Sequence, residues 1–117
     1  MRADLTDPAA VLGEPGLRQV IDLAEPVCLS LGLVLHFMPA DRAREVAAGY
    51  TAAIAPGSCA VISVGRNNDK KLWERVRSAY AAAPLHNHTR EQAAGFFYGL
   101  ELVPLGLAVA QGWRGGW

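Results

Sequence analysis

The apolar positions fall into short blocks whose spacing changes along the chain. Asp7-Pro8 joins a helix-capping residue to a proline at the first helical position, and Ala9 to Leu12 continue that helix until Gly13 stops it. Glu14-Pro15 starts a second helix with Leu17, Val20, Ile21 and residues 23–24 on one face. Glu25-Pro26 ends it, because the residue before a proline avoids the α region. From Val27 to Leu35 the chain is almost continuously apolar, the pattern of a parallel strand covered on both faces. Leucine is a modest strand former, so a buried helix competes. The flanking Pro26 and the loop-like Met38-Pro39-Ala40 favour the strand.

Asp41 is then expected to cap a helix over residues 42–55, with Ala43, Val46, Ala47, Tyr50 and Ile54 as its apolar stripe. Pro56-Gly57 breaks it, and Ser58–Val64, rich in β-branched residues, reads as a second buried strand. Asn68 or Asp69 caps a helix from Lys70 to about Ala82 that carries Leu72, Trp73, Val76 and Tyr80 on one side. Thr89-Arg90-Glu91-Gln92 is a capping box opening a short helix with Ala93, Phe96 and Phe97, stopped at Gly99. Leu100–Ala110 reads as two short strands around Pro104-Leu105, paired antiparallel at a sheet edge. The order predicts an α/β fold of parallel central strands joined by a right-handed crossover, helices on both faces and an antiparallel C-terminal strand pair.

Composition narrows the function classes. The 117 residues make one domain, with 11 basic and 11 acidic residues and 19% charged. A net charge of zero argues against a nucleic-acid footprint, which shows as a basic face. Nothing approaches the apolar length of a membrane span, and Met1-Arg2-Ala3-Asp4 is no secretory signal, so a cytoplasmic protein is expected. Cys28 and Cys59, each inside an apolar run, read as two reduced, buried thiols rather than a disulfide framework.

In an open parallel sheet, ligands bind outside the carboxyl ends of the strands. That rule selects Asp4-Leu5-Thr6 (if the residues before it finish a strand), Leu35-His36-Phe37, and Ser63 to Asp69. His36 at the tip of the most apolar strand suits a general base or a substrate-orienting group, or a histidine that only bonds a neighbouring loop. His86 and His88 form a His-x-His pair with no third ligand near in sequence, so no metal site is expected. No glycine-rich turn of the Gly-x-Gly-x-x-Gly kind follows an apolar strand anywhere in the chain.

Together these segments resemble a bacterial family of S-adenosylmethionine (SAM)-dependent methyltransferases, long catalogued as a domain of unknown function. The resemblance is carried by Ala3-Asp4-Leu5-Thr6-Asp7-Pro8 with Val11-Leu12, by Pro26-Val27 through Val34-Leu35-His36-Phe37, and by Ala55-Pro56-Gly57-Ser58 with Val61-Ile62-Ser63. Thr89-Arg90-Glu91 with the Phe96–Leu107 segment and the terminal Trp113-Arg114 add to it, so it runs from about Arg2 to Arg114. It implies part of a class I, Rossmann-like methyltransferase sheet: a single domain over residues 1–117 that begins at the end of the third strand and lacks the glycine-rich N-terminal strands.

Carried over, the acid that bonds the adenine amino group of SAM would be Asp4, and the next backbone amide, Leu5, would meet the ring. Leu35 and His36 would line the adenosine and acceptor side, with His36 the one candidate catalytic residue. The implied reaction is methyl transfer from SAM to a small-molecule acceptor. Without the first three strands, the Val27–Leu35 strand would keep a bare edge, a template for pairing. A homodimer, or a partner that completes the sheet, is therefore expected. Two other readings stand beside the enzyme: a non-catalytic assembly domain that uses this edge, and a small flavodoxin-like binding module.

Overall fold

A computed structural model of the chain describes residues 3–79, 84–103 and 106–107. Its frame is a parallel pair of strands, β1 (Cys28–Gly32) and β2 (Cys59–Ser63), joined through helix α3 (Ala40–Thr51). The strands pair in register from Cys28 opposite Cys59 to Gly32 opposite Ser63. Before them come α1 (Pro8–Leu12) and α2 (Pro15–Arg18), and after them α4 (Lys70–Ala79) and α5 (Arg90–Gly95).

Helix starts follow local chemistry. The Asp7 carboxylate accepts from Ala10 N–H and Pro8 occupies the first helical position of α1. Asp69 Oδ1 accepts from Lys71 and Leu72 N–H and so caps α4. Thr89 and Gln92 form the reciprocal capping box of α5. α3 starts earlier than expected, at Ala40 with Pro39 before it, and Asp41 sits in its first turn, where its charge complements the helix dipole.

The core lies on one side of the sheet. Leu31 of β1 and Leu35 and Met38 beyond it pack against Ala43, Val46, Ala47 and Tyr50 of α3, with Ala93 and Phe96 closing the cluster. The stripe expected on α3 is therefore the buried one, except that Ile54 falls past the helix end.

Several expectations change. The apolar run Val27–Leu35 is a strand only as far as Gly32, because Leu33 takes a left-handed φ of 55° and turns the chain away. Leu33 N–H donates to the Ser63 carbonyl (2.9 Å) and approaches its hydroxyl (3.2 Å), and Leu35–Phe37 then coil into a 3-10 turn. Nor is the sheet covered on both faces. Cys28, Ser30 and Gly32 of β1 and Cys59, Val61 and Ser63 of β2 are all exposed, so among the described residues one face is bare. The two thiols are thus surface groups, not core ones.

α2 ends at Arg18 and leaves Val20 78% exposed, so the predicted Leu17–Ile21 stripe is not buried. α4 buries none of its stripe, and Tyr80–Ala82 lie outside the described residues. The antiparallel C-terminal pair is not supported. Leu100–Val103 are not a strand, since Leu100 N–H turns back to the Phe97 carbonyl after Gly99 (φ 81°) and Gly106 N–H closes onto the Val103 carbonyl. Residues 104–105 and 108–110, the rest of that predicted pair, lie outside the described residues.

Candidate functional site

The carboxyl ends of β1 and β2 meet a third segment, residues 84–88, and the three are laced by hydrogen bonds. The His36 carbonyl accepts from His86 N–H (2.7 Å), and His36 Nδ1 accepts from Gly65 N–H (2.9 Å) just beyond β2. His88 Nε2 lies 2.9 Å from the Leu35 carbonyl; a carbonyl only accepts, so Nε2 carries the proton. Arg66 Nε donates to the His88 carbonyl (3.0 Å). Asn67 and Asn87 exchange two bonds: Asn67 N–H to Oδ1 (3.1 Å) and Asn87 Nδ2 to the Asn67 carbonyl (2.6 Å). Below this lattice the His88 ring meets Phe96 edge-on, centroids 5.1 Å apart.

These contacts fix the protonation of the site. With Nδ1 occupied as an acceptor, the His36 ring keeps its proton on Nε2 and stays neutral. Burial pushes its pKa below the ordinary imidazole value, and the neighbouring His88 adds to the shift. The ring is 9% exposed, and His88 is 2% exposed. His36 therefore works at its tip chiefly as an acceptor that pins Gly65. The fit is close, since a Cβ on Gly65 would stand 3.4 Å from Nδ1.

Asp4 and Leu5 are held elsewhere, by α3. The Tyr50 hydroxyl donates to the Leu5 carbonyl (2.6 Å), and Arg42 Nη2 donates to the Thr6 carbonyl (2.7 Å). Asp4 Oδ1 accepts from both the N–H (2.9 Å) and the hydroxyl (2.8 Å) of Thr6. Those two bonds, the backbone one foremost, hold the Asp4 carboxyl below its usual pKa and keep it ionised at neutral pH. The strand that was to precede Asp4 falls on Met1 and Arg2, outside the described residues.

Of the four predicted site residues, Leu35 and His36 come together with the β2 tip, though from a 3-10 turn rather than from a strand end. Asp4 and Leu5 form a separate station, and no hydrogen bond joins the two groups among the described residues. The sequence reading included Arg66 and Asn67 in its Ser63–Asp69 segment without giving either a role, and it missed Asn87 and the structural use of His88. No local pattern marks partners 20 or more residues apart. Among the described residues no three His, Cys, Asp or Glu side chains gather as a metal would require. A groove of about 580 Å³ between α1 and α3, bordered by Asp7, Arg18 and Glu45, includes none of the strand-tip residues. No helix of the described residues is long and apolar enough to cross a membrane.

Two solved structures share this fold. A DUF574 family protein from Streptomyces avermitilis superposes with a TM-score of 0.89 at 32% identity, over 97% of this chain and 45% of its own. A protein from Thermobifida fusca, described provisionally as a methyltransferase, superposes with a TM-score of 0.76 at 25% identity, over 89% of this chain and 40% of its own. The chain thus spans less than half the length of either. No curated protein matches it. The profile that describes S-adenosyl methyltransferases matches residues 1–117, and with it the chain belongs to the S-adenosyl methyltransferase family.

Proposed function

We propose that this chain carries the adenine-end and acceptor-side portion of a SAM-dependent methyltransferase that acts on a small molecule in the cytoplasm, and that further polypeptide completes its cofactor site. The observation that carries this reading is the family match over the whole of residues 1–117. The residues present fit one end of the cofactor. Asp4 is exposed and ionised, and Oδ1 is taken up by Thr6, which leaves the other carboxylate oxygen to accept from an amino group such as that of adenine. The ribose hydroxyls and the methionine end have no such partners among the described residues, and the sequence contains no glycine-rich turn to meet them.

When bound, SAM supplies an electrophilic methyl group, and alignment with the acceptor accounts for much of the rate of such a transfer. On this side of the site, Leu35 is fully buried in the core and anchors the 3-10 turn, and the neutral His36 ring holds the β1 and β2 tips in fixed relation. We assign His36 a positioning role rather than that of a general base, because its acceptor nitrogen is already engaged. The partner is read as a polypeptide that adds a strand along the open edge of β1. The neighbours' chains, more than twice the length matched here, support this.

Amide NMR titrations with adenosine and SAM test the reading. Weak, millimolar-range shifts at Leu5 and Thr6 are expected. Asp4→Asn keeps the Oδ1 contact with Thr6 but turns the free oxygen into a donor, and so weakens binding about tenfold, the scale of one charge-assisted hydrogen bond. No shift with either ligand refutes it. The second reading, a non-catalytic assembly domain, draws on the bare sheet face, where Val61 is 57% exposed. A defined oligomer that ignores adenosine favours that alternative.

A further inference from the structure

Cys28 and Cys59 have no role in the methyltransferase site. They are register partners at the entrance of the two strands, both exposed and both on the bare face. We propose that they form a dithiol site that closes reversibly to a cross-strand disulfide by exchange with a small disulfide such as oxidised glutathione.

Neighbouring strands run about 4.8 Å apart, and in-register partners project their side chains to the same face. A disulfide spans Cα separations of about 4.4–6.8 Å, so the backbone already stands at bonding distance. The Cys59 thiol opposite Cys28 raises the Cys28 pKa, chiefly as a hydrogen-bonding neighbour that favours the protonated form. Both are open to solvent, as are Ser30 and Val61 on the same side of the sheet. No other cysteine is present in the sequence to compete.

The exchange balances without any further reagent. Because Cys28 holds its proton more firmly, Cys59 attacks first: its deprotonated sulfur bonds one sulfur of oxidised glutathione, forms a mixed disulfide and expels one glutathione thiolate. Cys28 then gives up its proton and attacks the Cys59 sulfur, the protein S–S bond forms, and the second glutathione leaves. Two protein thiols are oxidised, and the glutathione disulfide is reduced to two glutathiones. The bond closes the chain between residues 28 and 59 and staples the two strands at the ends opposite His36.

The test is to incubate the full chain with a graded ratio of reduced to oxidised glutathione and to analyse quenched samples by mass spectrometry and thermal melting. The expected product has lost two hydrogens, carries no glutathione, has no free thiol and melts higher than the reduced chain. Cys28→Ser should trap one glutathione on Cys59, since nothing remains to expel it. Cys59→Ser should react more slowly. The proposal is overturned by two glutathiones per wild-type chain, by disulfide-linked dimers as the main product, or by thiols that stay reduced in excess oxidised glutathione. None of these readouts depends on SAM, so the methyltransferase reading stands or falls separately.

Discussion

His36 shows how one side chain sets the chemistry of a strand tip. Its neutral ring accepts from Gly65 while its carbonyl accepts from His86, so both the side chain and the backbone of the residue are engaged. The depressed pKa has a consequence for stability. Unfolded, the imidazole takes up a proton near its ordinary value of about 6.5, whereas the folded ring does so only at lower pH. The unfolded chain therefore binds more protons as pH falls below that value, so this contribution to stability is complete above about pH 6.5 and fades beneath it. Denaturant midpoints should drop between about pH 7 and pH 5, and His36→Asn, which keeps an acceptor for Gly65, should flatten the drop. An unchanged slope in that variant would assign the titration to another group. At this scale the sequence singled out His36 for a reason open to inspection, a histidine after an apolar strand, and the structure engages it through both ring and carbonyl. Its partners were not legible, since they lie 29 and 50 residues away and depend on the tertiary fold.

Among elements, what could be read depended on how local the determinant was. The three capped helices begin at Asp7, Asp69 and Thr89, where a side-chain oxygen meets nearby N–H groups and no distant partner is needed. The Thr89 cap also seats Phe96, which is 2% exposed in the core. Thr89→Ala should cost about 1 kcal/mol, readable as a lower urea midpoint with unchanged slope. Both strand starts fell within a residue of expectation, but the end of β1 did not. Gly32 is where a left-handed break was easiest to imagine, yet Leu33 adopts it, at a cost of about 1–2 kcal/mol that its bonds to Ser63 help offset. The C-terminal strand pair was misread for a related reason. Alternation of apolar residues shows strand propensity, but Gly99 and Gly106 take left-handed φ and turn the segment, and Val103 is left 71% exposed.

For the molecule as a whole, the measure that matters is surface. The chain exposes 8237 Å², whereas a compact monomer of 12.5 kDa exposes about 6,200 Å². The excess, about 2,000 Å², is more than the roughly 800 Å² that one partner contributes to a standard protein interface. It includes the bare face of the sheet, the unburied stripe of α4 and the open edge of β1. Self-association in dilute buffer is expected by light scattering, and Val61→Lys, which sets a charge in the middle of the bare face, should reduce it without loss of helical signal. A wild-type chain that stays monomeric at high concentration would contradict this. The α/β class was legible because buried parallel strands have a distinctive composition, whereas the uncovered face was not. Sequence shows which residues are apolar but not whether anything arrives to cover them.

Among the described residues β1 is paired on a single side, which also changes what a melting temperature means for this protein. If a second polypeptide zips onto β1, the folded state gains free energy by mass action, and the transition moves upward with the logarithm of that polypeptide's concentration. Thermal stability then belongs to the mixture and not to the chain, and a dilution series becomes the most direct way to measure what such a polypeptide contributes.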